Sequence, residues 1–413
     1  MPGPLAGIRV LDLTSVVSGP LATMFLADQD AEVIKIEPLG GDITRRSRQS
    51  ISASGEFSAL FVSSNRGKRS LALDLKRPEA AAIMRKLIIS SDVLVQNFRP
   101  GIMERLGLGE PALRELNPRL IYVSISGVGE RGPYAKKRVY DPIIQGLSGF
   151  ADLQAEPKTR RPQMIRTIVA DETTAIFAAQ AVTAALFARE RTGEGQHIRL
   201  AMLDTMIAYL WPEAMTQYTV VGRETTTADP TARPDLIFET ADGYITVGTI
   251  SDSEWQGFCA ASGRLDLAED PRFNTPGGRA VNATERILLM AEIIKEHPTA
   301  DWLHRLDAND VPSAPVLRRN EVIANEQVIA RKLIVEFDHP DIGSVRQPKP
   351  AARFDRTPAR IHGPAPRIGE HSAAILAEWD SKRRRSNDWR LRRSCVWPRP
   401  SCIGSRSTRH LIY

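Results

Sequence analysis

Asp171 stands at the head of a long apolar run, RTIVADETTAIFAAQAVTAALFARE, where an acid can do chemistry that an acid in water cannot. The first turn of a helix has unpaired amides and a partial positive charge, so it is expected to hold this carboxylate ionised while the apolar residues behind it exclude water. An ionised, poorly hydrated carboxylate is a nucleophile. The alternative is a plain N-cap, in which Asp171 only accepts an amide of its own helix. The rest of the chain decides between the two.

Three basic groups accompany it. In NFRPG, Asn97 and Phe98 are followed by Arg99 and, a turn later, Arg105; such a set can stack a purine on the ring and pair phosphates with the guanidinium groups. NRGKRSLALDLK supplies Arg66, Lys68, Arg69 and Lys76, and RGPYAKKRVYD includes Arg138. Each alone reads as a turn with solvated charge; three at the ends of strands of one sheet read as an anion site. The turn SVVSGP, with Pro20 expected at the first helical position, can also turn amides toward a phosphate. A dinucleotide site would need glycines in that turn. They are missing, although Glu37 sits where a ribose-binding acid would. A literal G-x-G-x-x-G at Gly127, Gly129 and Gly132 runs into Pro133 and AKKR instead of a helix and reads as a turn. None of the seven His has a metal-type or Ser-His spacing, and His197 reads as structural.

The elements that must position these groups alternate. IRVLDLT, AEVIKIE, KRSLALDL, DVLVQNF, LIYVSIS and HIRLAML read as buried strands, with PLATMFLADQ, EAAAIMRKLIIS and the Asp171 run as helices between them. The expected fold is α/β: an open parallel-sheet, Rossmann-like large domain over 1–215, a linker at 216–235 and a smaller α+β domain at 236–335. A return segment at 336–379 and an Arg-rich, disordered tail at 380–413 complete the chain. The small domain opens on a hairpin turning at Ala241-Asp242-Gly243.

The formal charge of +6 does not mark a nucleic-acid binder, because residues 381–413 carry ten Lys or Arg against one acid and leave a mildly acidic body. Three cysteines, two of them in the tail, make neither a disulfide framework nor a metal set, which fits a reducing cytoplasm. No secretory signal is visible. The most apolar stretch, Ala175 to Ala188, falls short of the ~20 residues of a membrane span, so no membrane partner is expected.

Together the segments GIRVLDLTSVVSGPLATMFLAD, AEVIKIEP, NRGKRSLALDL, DVLVQNFRPGIMERLGLG, NPRLIYVSISGVGERGPY, YDPIIQGLSG, the Asp171 helix and RTGEGQHIRLAMLD resemble the family III CoA-transferases, or CaiB/BaiF family. A weaker match extends to IGEHSAAILAE. The resemblance implies a CoA-transferase that forms an interlocked homodimer. Its nucleophile would be Asp171, and CoA contacts would fall at Val16, Leu73, Lys76, Asn97, Phe98, Arg105 and Arg138. An acyl-CoA and a carboxylic acid would be its substrates, with no tightly bound cofactor. Oxyanion donors would lie near Gly127 to Gly132 or at the start of the Asp171 helix, and Arg161 or Arg166 would receive the acceptor acid. Formyl-CoA transferases of the family carry Gln where Val17 stands and a glycine run absent here, which disfavours formyl or oxalyl specificity. Relatives usually carry Gly at the position of Asp30. Related α-methylacyl-CoA racemases place a His at the position of Tyr140; a phenol with a pKa near ~10 is a poor base, so an isomerase is the second reading. A non-catalytic CoA-binding protein is the third.

Overall fold

The computed structural model describes residues 1–47, 50–156, 158–223 and 235–380. Most of the expected linker and nearly all of the Arg-rich tail lie outside the described residues. The chain divides into two compact units, one of Met1–Ser148, Arg166–Tyr209 and Ile334 onward, the other of Gly149–Ile165 and Leu210–Leu333.

Among the described residues six parallel strands form the main sheet of the larger unit: β1 (Arg9–Asp12), β2 (Glu32–Glu37), β3 (Arg69–Ala72), β4 (Val93–Gln96), β5 (Ile121–Ser126) and β6 (His197–Ala201). Their spatial order is β3-β2-β1-β4-β5-β6, so the winding reverses between β1 and β4. In such a sheet the crevice outside the carboxyl ends of those two strands is where ligands bind. The helices of this part of the chain are α1 (Ser18–Ala27), α2 (Ala59–Asn65), α3 (Pro78–Ile89), α4 (Ile102–Arg105), α5 (Glu110–Leu116), α6 (Asp141–Leu147), α7 (Phe150–Leu153) and α8 (Val169–Thr192), with α9 (Met202–Leu210) after β6.

Alternate strand residues feed two cores. Val10, Val33, Val93, Val95 and Val123 pack with Ala22 and Leu26 of α1 and Ala175, Ala178, Val182 and Ala185 of α8. Leu11, Ile34, Leu94 and Tyr122 point the other way, toward Ile83, Met84 and Leu87 of α3. Burial on both faces is why these strands read as continuous apolar runs rather than alternating ones. The small side chains between α1 and α8 let the two helices approach closely, which matters for the site. α8 ends on Gly193 in the left-handed region (φ 77°), whose amide caps the Arg189 carbonyl at 2.8 Å.

Two expectations need correction. HIRLAML is not a fully buried strand: β6 is an edge strand with one neighbour and mostly half-buried residues, and α9 begins at Met202. Residues 149–165, kept with the large domain in the sequence reading, cluster with the smaller unit. They bond among themselves, Gln163 N to Ala151 O and Glu156 N to Arg161 O, and their described residues include no strand whose pattern the sequence could reveal.

The smaller unit has an antiparallel sheet of β7 (Ile237–Glu239), β8 (Tyr244–Val247) and β9 (Ser313–Pro315). It packs with α10 (Asp252–Ser262), α11 (Pro276–Val281), α12 (Ala283–Ile294) and α13 (Thr299–Ala308) around Trp255, Phe258, Phe273 and Trp302. The hairpin turns where expected, with Thr240 N bonded to Gly243 O. A Ser251/Glu254 capping box starts α10. Among the described residues no helix is long and apolar enough to cross a membrane.

Candidate active site

Asp171 is the third residue of α8, whose N-cap is Ile168, so it is not the cap of its own helix. Another acid takes that part. Asp141, the first residue of α6, accepts the amides of Ala170 (2.7 Å) and Asp171 (3.3 Å) on Oδ2, and Gln145 Nε2 donates to its Oδ1 at 2.6 Å. With those amides engaged, the Asp171 carboxylate turns toward the neighbouring helix. Its Oδ1 accepts the Ser18 amide at 3.2 Å, at the N-terminus of α1. Asp171 is 8% exposed.

Burial pushes the Asp171 carboxyl up, the nearby Asp141 charge adds to that, and hydrogen bonds from Ser18 oppose both, leaving it at about 6. At neutral pH the ionised form still dominates by about ten to one. The expectation that its own helix end keeps the acid charged is thus corrected: those amides serve Asp141, and α1 supplies the compensating donor. The result is a dry carboxylate that is ionised at neutral pH yet weakly solvated, which favours nucleophilic attack on a carbonyl carbon.

The turn from β1 to α1 carries that donor. Ser15 is fastened to the end of β4 on both sides, its amide donating to Asn97 Oδ1 at 3.0 Å and its carbonyl accepting from Asn97 Nδ2 at 2.8 Å. Val16 follows in the left-handed region at φ 72°, an outlier for a β-branched residue and of the kind that clusters at functional sites. The helix begins at Ser18, so Pro20 is its third residue rather than its first; its missing N–H falls among the helix amides that have no intrahelical partner in any case.

The other sequence-derived residues lie on segments leaving the carboxyl ends of parallel strands: Val16 after β1, Leu73 and Lys76 after β3, Asn97, Phe98, Arg99 and Arg105 after β4, and Arg138 after β5. Val16 is half-buried and Asn97 is joined to its neighbour Ser15. Phe98 is half-buried against the α3-side core, its amide held by Gln96 Oε1 at 2.8 Å. Lys76, Arg99, Arg105 and Arg138 are exposed. The Leu73 side chain is buried in the core, so only its main chain is available to a ligand. Arg161, in the smaller unit, and Arg166 are both exposed, as is Tyr140. Around Gly127 to Gly132, the Gly129 amide is already bonded to Ser126 Oγ at 3.2 Å. A cavity of about 590 Å³ opens nearby, lined by Ser124, Ser126, Arg131 and Arg199 among others, but not by Asp171 or Ser18.

Three residues of the second basic cluster do not face a phosphate. Arg66 is buried against Asp28 (2.7 Å), Lys68 against Asp12 (2.9 Å), and Arg69 bridges Glu32 and Glu378. Glu37, the ribose-acid candidate, accepts from Arg45 at 2.7 and 2.8 Å and from Ser70 Oγ, which leaves nothing for a nicotinamide dinucleotide. His197 Nε2 lies 2.9 Å from Ser124 Oγ, and burial together with the Arg199 charge lowers its pKa. Sequence reasoning missed Asp141 and the Ser18 amide. Nothing in the YDP triplet says that Asp141 will bind the amides of another helix, and a main-chain donor leaves no trace in residue types.

The fold and site together are those of an α/β protein whose doubly wound sheet carries, at its switch-point turn, an amide that donates to a buried carboxylate of raised pKa. The chain belongs to CoA-transferase family III, whose sequence pattern matches residues 5–372, and its activity is that of a CoA-transferase. It is 39% identical to a succinate–glutarate CoA-transferase of Agrobacterium fabrum, over 92% of this chain and 96% of that one. It is 33% identical to the human succinyl-CoA:glutarate CoA-transferase, over 91% and 86%. Among solved structures, a CaiB/BaiF family protein from Brucella suis matches with a TM-score of 0.78 and 34% identity over 92% of this chain and all of that one. The Mycobacterium tuberculosis protein Rv3272 matches with a TM-score of 0.80 and 31% identity over 91% and 99%.

Proposed function

We propose that the chain moves CoA from an acyl-CoA donor to a carboxylic acid through covalent intermediates on Asp171. The observation that carries this reading is the placement of Asp171: buried, ionised at neutral pH, and held by the Ser18 amide at the carboxyl end of β1. Asp171 attacks the thioester carbonyl, the C–S bond breaks, and a mixed anhydride and CoA thiolate form. The thiolate attacks the aspartyl carbonyl of that anhydride, releasing the donor acid and leaving an aspartyl-CoA thioester. The acceptor carboxylate attacks this thioester and expels the thiolate again. The thiolate then takes the acyl group from the second anhydride, and Asp171 is regenerated. Water must be excluded throughout, because it would hydrolyse either anhydride.

In this reading Phe98 stacks the adenine, Lys76, Arg99, Arg105 and Arg138 pair with phosphates, and Val16, Asn97 and the Leu73 main chain line the path of the thioester. CoA enters as substrate, and no tightly bound cofactor takes part. The names of the relatives support a small dicarboxylate as acceptor, with succinyl-CoA as a donor. The active form is a homodimer in the cytoplasm, divided into the domains set out from the sequence except that residues 149–165 go with the smaller one.

Mixing the protein with succinyl-CoA and then with glutarate, mesaconate or oxalate tests the reading, with intact-protein mass spectrometry following the covalent state. A CoA adduct mapping to the peptide that contains Asp171, discharged by one of the acids, is the expected result. Asp171→Asn should abolish transfer and leave CoA affinity within a few-fold. Turnover by that variant at the normal rate would rule out the nucleophile.

A further inference from the structure

Beneath the turn that reaches Asp171 lies a cluster of buried charges that the transfer steps do not use. Asp12, at the end of β1, is fully buried. It accepts Lys68 Nζ (2.9 Å) and Thr23 Oγ1 (2.8 Å) on Oδ2, and the amide (2.9 Å) and hydroxyl of Thr14 on Oδ1. Lys68 spends all three of its protons there: on Asp12, on the Pro20 carbonyl at 2.7 Å, and on Asn65 Oδ1 at 2.9 Å. Lys35 Nζ, also fully buried, donates to the Thr14 carbonyl (3.0 Å) and to Asp42 (2.9 Å). Both ends of the Thr14–Pro20 turn are therefore gripped by ammonium groups.

Such a cluster is a poor way to gain stability. Burying charges is expensive, and well-packed apolar residues in their place are often neutral or better. What directional bonds add is one fixed conformation. This turn needs fixing, because Val16 is held at φ 72°, and because a Cβ at Gly19 would lie 2.3 Å from Thr14 Cβ. A turn freed from its ends would relax, and the Ser18 amide would leave Asp171.

We propose that Lys68, through its contacts with Asp12 and Pro20, is a positioning residue for acyl transfer, holding the Thr14–Pro20 turn so that the Ser18 amide stays on the Asp171 carboxylate. This rests on Asp171 being the nucleophile. Burial lowers the Lys68 pKa to about 8, with Asp12 opposing and Lys35 assisting, so the ammonium is still the main form at neutral pH.

The test is Lys68→Met in the full chain, read as the pH profile of kcat/KM with succinyl-CoA. Asp141 on α6 and Glu172 on α8 are the acids facing Asp171, and neither is touched by the substitution. Losing the Ser18 donor removes an interaction that favours the ionised acid, so the acid limb, expected near 6 in the unaltered enzyme from the Asp171 carboxyl, moves to higher pH. Turnover at neutral pH falls at least ten-fold, while KM for the thioester changes within three-fold. Because Met leaves Asp12 without its partner, Asp12→Asn/Lys68→Met removes both charges as a second variant and should show the same displaced limb. An unmoved limb in either folded variant, whether at full or uniformly reduced amplitude, overturns the positioning role. An active Asp171→Asn would instead overturn the nucleophile on which it rests, so the two failures are distinct.

Discussion

Ionised at neutral pH, Asp171 works against the fold that holds it. Its carboxyl stands at about 6 against an ordinary 3.8. Below 3.8 it is protonated in folded and unfolded chains alike and contributes nothing. Between the two values the folded state binds more protons, so stability falls as pH rises; above 6 the whole penalty applies, at most about 3 kcal/mol. Asp171→Asn should therefore be the more stable protein in urea melts well above that window, and the gain should shrink toward zero as pH falls through it. An equal or lower stability at high pH would mean that the carboxylate is not desolvated. The neighbouring acid gives a second check at this scale. Asp141→Asn removes the negative charge beside Asp171, so the acid limb of kcat/KM should move to lower pH, opposite in sign to the shift expected from Lys68→Met. The weaker cap on α8 should also lower stability by about 1 kcal/mol. A limb that stays in place would show that the two carboxyls do not interact.

At the scale of elements, the approach of α1 to the β1 turn is set by one missing methyl. Gly19→Ala puts a Cβ 2.3 Å from Thr14 Cβ, in a turn already tied at both ends. Its helix-propensity gain of at most about 1 kcal/mol should be overwhelmed, with a lower melting temperature and turnover reduced ten-fold or more. Gly146→Ala in α6, where an added Cβ meets nothing within 4 Å, is the matched control and should melt no lower than the parent. Equal tolerance at both sites would refute the close approach. Elements of this kind divide in how far the sequence reveals them. β1, β2, β4 and β5 were legible because burial on both faces concentrates branched apolar residues into short runs. β6 was overread, since an edge strand carries the same residue types with half the burial. The basic cluster after α2 was misread for a different reason: nothing local to Arg66, Lys68 and Arg69 says that Asp28, Asp12 and Glu32 fold against them from the first two strands and the helix between. Asp171 itself was found through its place at the head of an apolar helix. The partners that tune it, Ser18 and Asp141, lie 153 and 30 residues away and act through main chain or as a cap.

For the whole molecule, the far side of α8 raises the question of a second copy. One face of this helix is sealed in the sheet core by Ala175, Ala178, Val182 and Ala185. On the opposite side Ile176 is 59% and Phe187 61% exposed, with Phe177 partly exposed beside them. The Arg191 guanidinium lies 4.2 Å from the Phe187 ring centroid. Large exposed apolar side chains along one helix face mark a candidate contact surface for a second copy. A homodimer would cover them and add to the exclusion of water that the proposed anhydrides require. Replacing both residues, Ile176→Asp with Phe187→Asp, leaves every core contact of α8 in place, so far-ultraviolet circular dichroism should be unchanged. Sedimentation velocity should show the parent at twice the chain mass and the double variant at the mass of one chain. Its transfer rate should fall far more than its CoA affinity, because the nucleophile survives while its shelter from water does not. A parent that sediments as a single chain at full activity, or a double variant that still pairs, would detach this face from assembly and leave its exposure to be explained by some other contact.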